Sequence, residues 1–288
     1  MEAAEMERDG LVLGMSDEVY HGGPEFSSSA AKEILKSAAH YKHTYIDGNK
    51  VTKKAWDLGT GVHTKVLGVG SPAVAYPEKV LAANGAASTN DARAWAAEQR
   101  AAGCIPVKQA ELDKINAMTE SVLANELARA LIEQPGHPEA SMFATDPETG
   151  LRLRCRFDYL PDDRRAAVDL KTTRDASPRG FKKLAYDLRY HVSRAHYRHT
   201  AKLVGEPVDE MVFVAVENEA PHLVVVYQLE QKFAEMGEDD AEIARRRLAR
   251  CLETDTWPGY PPGLQMLSAP VYGEYEHIDA MNEELERA

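Results

Sequence analysis

The chain has 288 residues, 44% hydrophobic and 28% charged, with a formal net charge of −12. That is an ordinary composition for a soluble globular protein with a sizeable core. The acidic total counts against DNA binding but does not decide it, because a basic groove on an acidic body can still hold a phosphate backbone. Cys104, Cys155 and Cys251 are far apart and odd in number, so neither a disulfide framework nor a CxxC zinc pair is expected. The opening MEAAEMERDG has no apolar stretch and no signal-peptide character. No run approaches the roughly 18 apolar residues that span a bilayer. The expectation is a cytoplasmic protein with reduced thiols and no membrane partner.

Residues 1–10 read as a flexible, charged leader. In YHGGPEFSSSAAKEILKSAAHY the Gly-Gly-Pro marks a turn, and Ser27, Ser28 or Ser29 can cap a helix through Ile34 and Leu35. AWDLGTGVHTKVLG carries Trp56, Val62 and Val66 and predicts a second helix, with Gly59 and Gly61 as weak points. Residues 82–106 predict a loop and a short helix around Trp95. The spacing of Ile115, Met118, Val122, Leu123 and Leu127 predicts an amphipathic helix over 107–132, ended by Gln134 to Pro138.

Strand character begins at Glu139. Glu139 to Thr145, the turn DPETG, LRLRCRFDYL, the turn PDDRR and AAVDLKTT predict a three-stranded antiparallel meander. Residues 178–204 predict helix. MVFVAVE and HLVVVYQL predict two more strands, 231–252 a charged helix, and the tail beyond WPGYPPG irregular structure. The expected organisation is one domain over 11–288, with a helical part near 25–132 and a catalytic sheet with helices near 139–252.

The informative stretch runs from Asp158 to Lys171. A two-residue period puts Asp169 and Lys171 on one strand face, with Val168 and Leu170 buried on the other. A hairpin brings Asp158 close to Asp169. Two carboxylates suit a hard Mg²⁺ ion. Such an ion eases ionisation of an attacking water, while a lysine offsets charge on a phosphodiester transition state. The bland alternative is an exposed polar sheet face with a salt bridge.

Asp158, a short turn and then DLKTT resemble the PD-(D/E)xK nuclease superfamily. More narrowly the chain resembles RecE-type exonucleases, the exonuclease VIII family of phages and prophages. The resemblance runs in order through YHGGPEFSSSAAKEILKSAAHY, LGTGVHTKVL, RCRFDYL, VDLKTT, DLRYHVSRAHY and CLETDTWPGYPP. It implies an α/β (α+β) restriction-endonuclease-like core, a central mixed sheet flanked by helices, with N-terminal helical additions. It implies that Asp158 and Asp169 bind Mg²⁺, with Mn²⁺ as a substitute, and that Lys171 is the catalytic lysine. It places His63 at or near the metal and Glu139 as either a further ligand or a contact to a metal-bound water. The implied activity is digestion of linear double-stranded DNA from its ends, 5′ to 3′, leaving 3′ tails for recombination. The implied partners are DNA ends, a RecT-class annealing protein and further copies of the chain in a ring. One departure is Ser193, where the family commonly carries a glutamine four residues before the tyrosine retained here as Tyr197.

Residues 179–202 form the most basic long stretch. Lys182, Lys183, Arg189, Arg194, Tyr197 and Arg198 are its candidate DNA contacts, the cations for phosphates and the aromatic for unpaired bases. Arg152, Arg154 and Arg156 share the face of Asp158 and either bind phosphate or balance the carboxylates. Two other readings compete: a DNA-end-binding protein without catalysis, and another nuclease of the superfamily, such as an endonuclease. A CRISPR-associated iron–sulfur nuclease needs four cluster cysteines, and the chain has three.

Overall fold

The computed structural model describes residues 9–49 and 58–287, so the leader over 1–8 and the helix start around Trp56 lie outside the described residues. It falls into two compact units, 1–258 and 259–288. In the first unit, β1 (Gly10–Val12) is followed by α1 (Asp17–Gly22), α2 (Ser28–Lys36), α3 (Ala38–Tyr41) and a π-helical turn at Lys42–Ile46. Next come α4 (Leu58–Leu67), β2 (Ala73–Ala75), a 3₁₀ turn at Glu78–Val80, α5 (Asn90–Ala101), β3 (Ile105–Val107), α6 (Gln109–Ala124) and α7 (Glu126–Glu133). The remaining elements are β4 (Gly136–Thr145), β5 (Arg152–Pro161), β6 (Ala166–Thr173), α8 (Pro178–Asp187), α9 (Tyr190–Val204), β7 (Glu210–Glu217), β8 (Val224–Tyr227) and α10 (Gln231–Thr254).

Six strands form one mixed sheet in the order β1-β4-β5-β6-β7-β8, antiparallel throughout except for the parallel pair β6–β7. β2 and β3 form a separate parallel pair. The parallel step is the reason for α8 and α9: strands running the same way need a crossover of a dozen residues or more. β7 is apolar on both sides because both faces are covered. Phe213 and Ala215 pack with Phe181, Ala185 and Tyr190 of α8 and α9. Val212, Val214 and Val216 pack with Val62 of α4 and Ile115, Met118 and Val122 of α6. A third cluster joins α2, α9 and α10 through Ile34, Val192, Ala195, Ala244 and Leu248.

The predicted meander, the strand pair after it and the central sheet between helices are present, with the helical additions ahead of it. Ser27 is the residue that caps α2, accepting from Ala30 N–H at 3.3 Å. Two helices expected to be continuous are broken. At 125, Asn125 caps α7 and its side chain also reaches the Val224 carbonyl at 3.3 Å. At 189, Arg189 adopts φ +50 and turns the chain between α8 and α9. The tail expected to be irregular carries a helix, α11 (Val271–Arg287), in the second unit. Among the described residues no helix is long and apolar enough to cross a membrane, and the three cysteines are free thiols.

Candidate active site

β5 and β6 meet at a single Cα pair, Tyr159 with Val168, and then part. Asp158 stands at the fork. Its Oδ2 accepts a 2.7 Å hydrogen bond from Leu170 N–H, so a side-chain oxygen satisfies a strand donor that the parted ladder leaves open. The strict alternation of β5 also ends here. Phe157 buries among the α9 side chains, and Tyr159 buries on the opposite side with Val168 and Leu170. On β6 the two-residue period holds: Val168 and Leu170 are buried, and Asp169 and Lys171 share the other face. The Lys171 ammonium bonds Asp169 Oδ1.

Glu139 arrives from β4 through a local irregularity. The β4–β5 ladder pairs Pro138 with Tyr159 and Ala140 with Phe157, but skips Glu139 opposite Asp158. Glu139 has φ +52, a left-handed conformation that costs a non-glycine residue about 1–3 kcal/mol. His63 arrives from α4, on the far layer. Its Nδ1 lies 3.1 Å from Glu139 Oε1 and its Nε2 lies 3.0 Å from Asp158 Oδ2. Both ring nitrogens face carboxylates, so the doubly protonated ring donates twice.

Charge in this group is strongly coupled. Burial opposes a charge on His63, but Asp158 and the bonds to Asp158 and Glu139 outweigh it and push the imidazole up to about 10. Burial likewise opposes a charge on Asp158, and the His63 charge and bond, with Lys171, overcome it and hold its carboxyl low. Asp169 goes the other way: burial raises it, Lys171 counters, and the adjoining Asp158 carboxyl raises it further. Burial works against the Lys171 ammonium, and the charges of Asp169 and Asp158 more than restore it.

His63, Glu139, Asp158 and Lys171 border a cleft of about 380 Å³, which Asp17, Tyr20, Thr60, Arg156 and Tyr197 also line. Arg156 holds the N-terminal segment against β5. It bonds Ser141 Oγ at 2.9 Å, Asp17 Oδ1 at 2.7 Å and the Met15 carbonyl at 3.1 Å. Its guanidinium lies 4.0 Å from the centre of the Tyr20 ring and 3.7 Å from Glu139 Oε2. Arg154 is buried against the Gly23 carbonyl at 3.0 Å and Glu25 at 3.5 Å. Of the two sequence readings for these arginines, the structure favours charge balance and anchorage of the N-terminal segment. Tyr20 and Asp17 are part of the cleft and were not visible as such in the sequence, since nothing local connects them to β5.

The basic stretch is mostly committed elsewhere. Arg194 is 4% exposed and grips Glu210 twice, at 2.5 and 2.9 Å. It is an internal anchor between α9 and β7, which corrects its assignment as a DNA contact. Burial alone would lower Arg194, and the Glu210 bond and charge raise it. Arg198 bonds the Val208 carbonyl at 3.0 Å and lies 3.4 Å from Glu238. Arg189 lies 3.2 Å from Asp240, and Lys183 lies 2.6 Å from Asp187. Lys182 is exposed. Tyr197 faces the cleft, its ring set edge-on to Phe157 at 5.2 Å. Ser193 is buried one turn earlier on α9. The side chains that reach the cleft from this stretch thus reduce to Tyr197, because alternate faces of α9 point into the core and toward α10.

The donor chemistry fits a hard divalent cation. Asp158, Asp169 and Glu139 supply oxygens, and two adjoining carboxyls, Asp169 buried and Asp158 half-buried, repel each other in a way that a cation between them would relieve. Among the described residues, however, no three His, Cys, Asp or Glu side chains converge as a finished ligand set. His63 and Lys171 take the carboxylate oxygens that a cation would use.

A family model and one solved structure agree with this architecture. Residues 27–269 match the family described as "PDDEXK-like domain of unknown function (DUF3799)". No curated protein matches the chain. A solved structure from Eubacterium rectale named "Putative exonuclease" superposes with a TM-score of 0.58 at 12% identity, covering 90% of this chain and 97% of that one. A phage-related exonuclease from Haemophilus somnus 129PT gives a TM-score of 0.34 at 12% identity, over 81% of this chain and 96% of that one.

Proposed function

The chain belongs to the PDDEXK-like family DUF3799, and on that premise we propose that it is a Mg²⁺-dependent exonuclease of linear double-stranded DNA. The observation that carries this is the fork between β5 and β6, where Asp158 adjoins the buried Asp169, and Asp158 and the Asp169-bonded Lys171 line an open cleft. Asp158, Asp169 and Glu139 would hold the cation, with His63 beside it. Bound Mg²⁺, or Mn²⁺ in its place, supplies Lewis-acid charge at a scissile phosphate. Lys171 then orients the attacking water or offsets charge developing on the phosphate oxygens. Tyr197 and Arg156 shape the cleft that receives the strand. Attack from the 5′ end, a role in phage-type recombination, a RecT-class partner and a ring of copies are part of the proposal, and the RecE-type motifs support them.

The test is incubation with linear and with closed circular duplex DNA, in Mg²⁺ and in EDTA, beside Lys171→Ala. Metal-dependent loss of the linear form alone, absent in the variant, is the expected result. Binding without digestion would leave a DNA-end-binding protein, and cutting of closed circles would make the chain an endonuclease. Digestion of end-labelled duplexes reads the polarity.

A further inference from the structure

Lys32 lies on α2, in a stretch whose sequence announces no chemistry. Its ammonium comes 5.5 Å from the centre of the Tyr190 ring, and the Lys171 ammonium comes 5.3 Å from the centre of the same ring. Tyr190 opens α9 and is itself buried. Among the described residues no carboxylate lies within 4.0 Å of the Lys32 ammonium, and no hydrogen bond ends on it. The nearby anion is Asp169, which is already bonded to Lys171. The nearby Arg189 adds a further positive charge and is itself engaged with Asp240 at 3.2 Å.

Lys32 is half-buried, and a cation partly withdrawn from water is favoured by a nearby counter-charge. Lys32 has burial and a second ammonium working against it, and they bring it down to about 8. It therefore remains mostly charged at neutral pH. A positive group that shares the Tyr190 ring with Lys171 and has no carboxylate within 4.0 Å is placed to meet an anion from outside the chain. A lysine is a point-charge phosphate binder, suited to one non-bridging oxygen.

We propose that Lys32 binds a phosphate of the DNA strand adjacent to the one at Lys171, as a substrate-binding residue distinct from the metal-holding carboxylates. This rests on the nuclease reading. It also supplies what the α8–α9 stretch largely does not, a cation next to the site that is not spent on a protein carboxylate.

The experiment compares wild type, Lys32→Met and Lys32→Arg. Methionine keeps the apolar stem and removes the charge; arginine keeps the charge. Binding of a duplex is measured with Ca²⁺ in place of Mg²⁺ across a salt series, and digestion is then measured with Mg²⁺. One lost phosphate contact lowers the slope of log K against log salt by about 0.9 on duplex and about 0.7 on single strand. Lys32→Met is expected to show that drop with a raised KM, and Lys32→Arg to restore the slope. A purely packing role would leave the slope unchanged, and an unchanged slope in Lys32→Met overturns the proposal. So does failure of both variants to fold. Duplexes with 5′-phosphate and with 5′-hydroxyl ends separate the two phosphate sources. Loss on both means an internal phosphodiester, and loss only on the phosphorylated end means a terminal phosphate. If wild type neither binds nor digests DNA, the nuclease reading itself has failed, which is a different outcome.

Discussion

Acidification should loosen the hold of α9 on the sheet through His196. This residue sits one position before Tyr197, is fully buried, and donates from Nε2 to the Arg154 carbonyl at 2.9 Å, with Phe26 edge-on at 5.8 Å. Burial, helped by the charges of Arg245 and His199, brings its imidazole down from 6.5 to about 4. The unfolded chain therefore binds a proton between those values that the folded chain refuses, so stability rises with pH there. The contribution is present above pH 6.5 and is lost as pH falls toward 4. From 6.5 to about 4, at about 1.36 kcal/mol per unit, the whole effect is about 3 kcal/mol. Between pH 7 and pH 4.5 roughly 2 kcal/mol of it appears, a sizeable part of the 5–15 kcal/mol typical of a folded domain. Urea denaturation followed by circular dichroism at the two pH values, on wild type and His196→Gln, measures it. The variant is expected to lose about 2 kcal/mol less than wild type on acidification. Equal losses in the two proteins would show that His196 is protonated without penalty and would refute the reasoning.

Asp169→Asn and Lys171→Met should each lower digestion of linear duplex at least about a hundredfold, measured as initial rates in Mg²⁺, with the circular dichroism spectrum retained. Arg194→Met should cost about 3 kcal/mol of stability, because it leaves Glu210 partly buried without its partner. The same variant should keep the salt slope of DNA binding, and a reduced slope would restore Arg194 as a phosphate contact. Gly237→Ala should lower stability by about 1–3 kcal/mol in the same urea assay, because its Cβ would fall 2.3 Å from the His191 carbonyl oxygen, where α10 crosses α9.

Much of the central sheet and its carboxylate–lysine group was legible because its determinants are local. The alternation of LRLRCRFDYL and AAVDLKTT, the intervening turn and the two-residue spacing of Asp169 and Lys171 all act within a few residues. The helix boundaries that failed did so for a tertiary reason. Asn125 and Arg189 interrupt apolar periodicity that continues across them, because Asn125 bonds a β8 carbonyl and Arg189 pairs with Asp240 on α10. The basic character of α9 was equally misleading. Charge type is visible along the chain, but whether Arg194 meets a phosphate or Glu210 depends on what packs opposite it.

Sequence alone determined the strand pair, the face shared by Asp169 and Lys171, and the class of chemistry that two carboxylates and a lysine support. Tertiary structure alone decided the rest. It set His63 between Glu139 and Asp158, turned Glu139 inward through a left-handed residue, brought Tyr20 and Arg156 to the cleft, and set Lys32 and Lys171 near one tyrosine ring. Period and turn chemistry are short-range properties of a chain. The partner of a side chain is chosen by packing between elements that can be more than a hundred residues apart, and no local pattern carries that information.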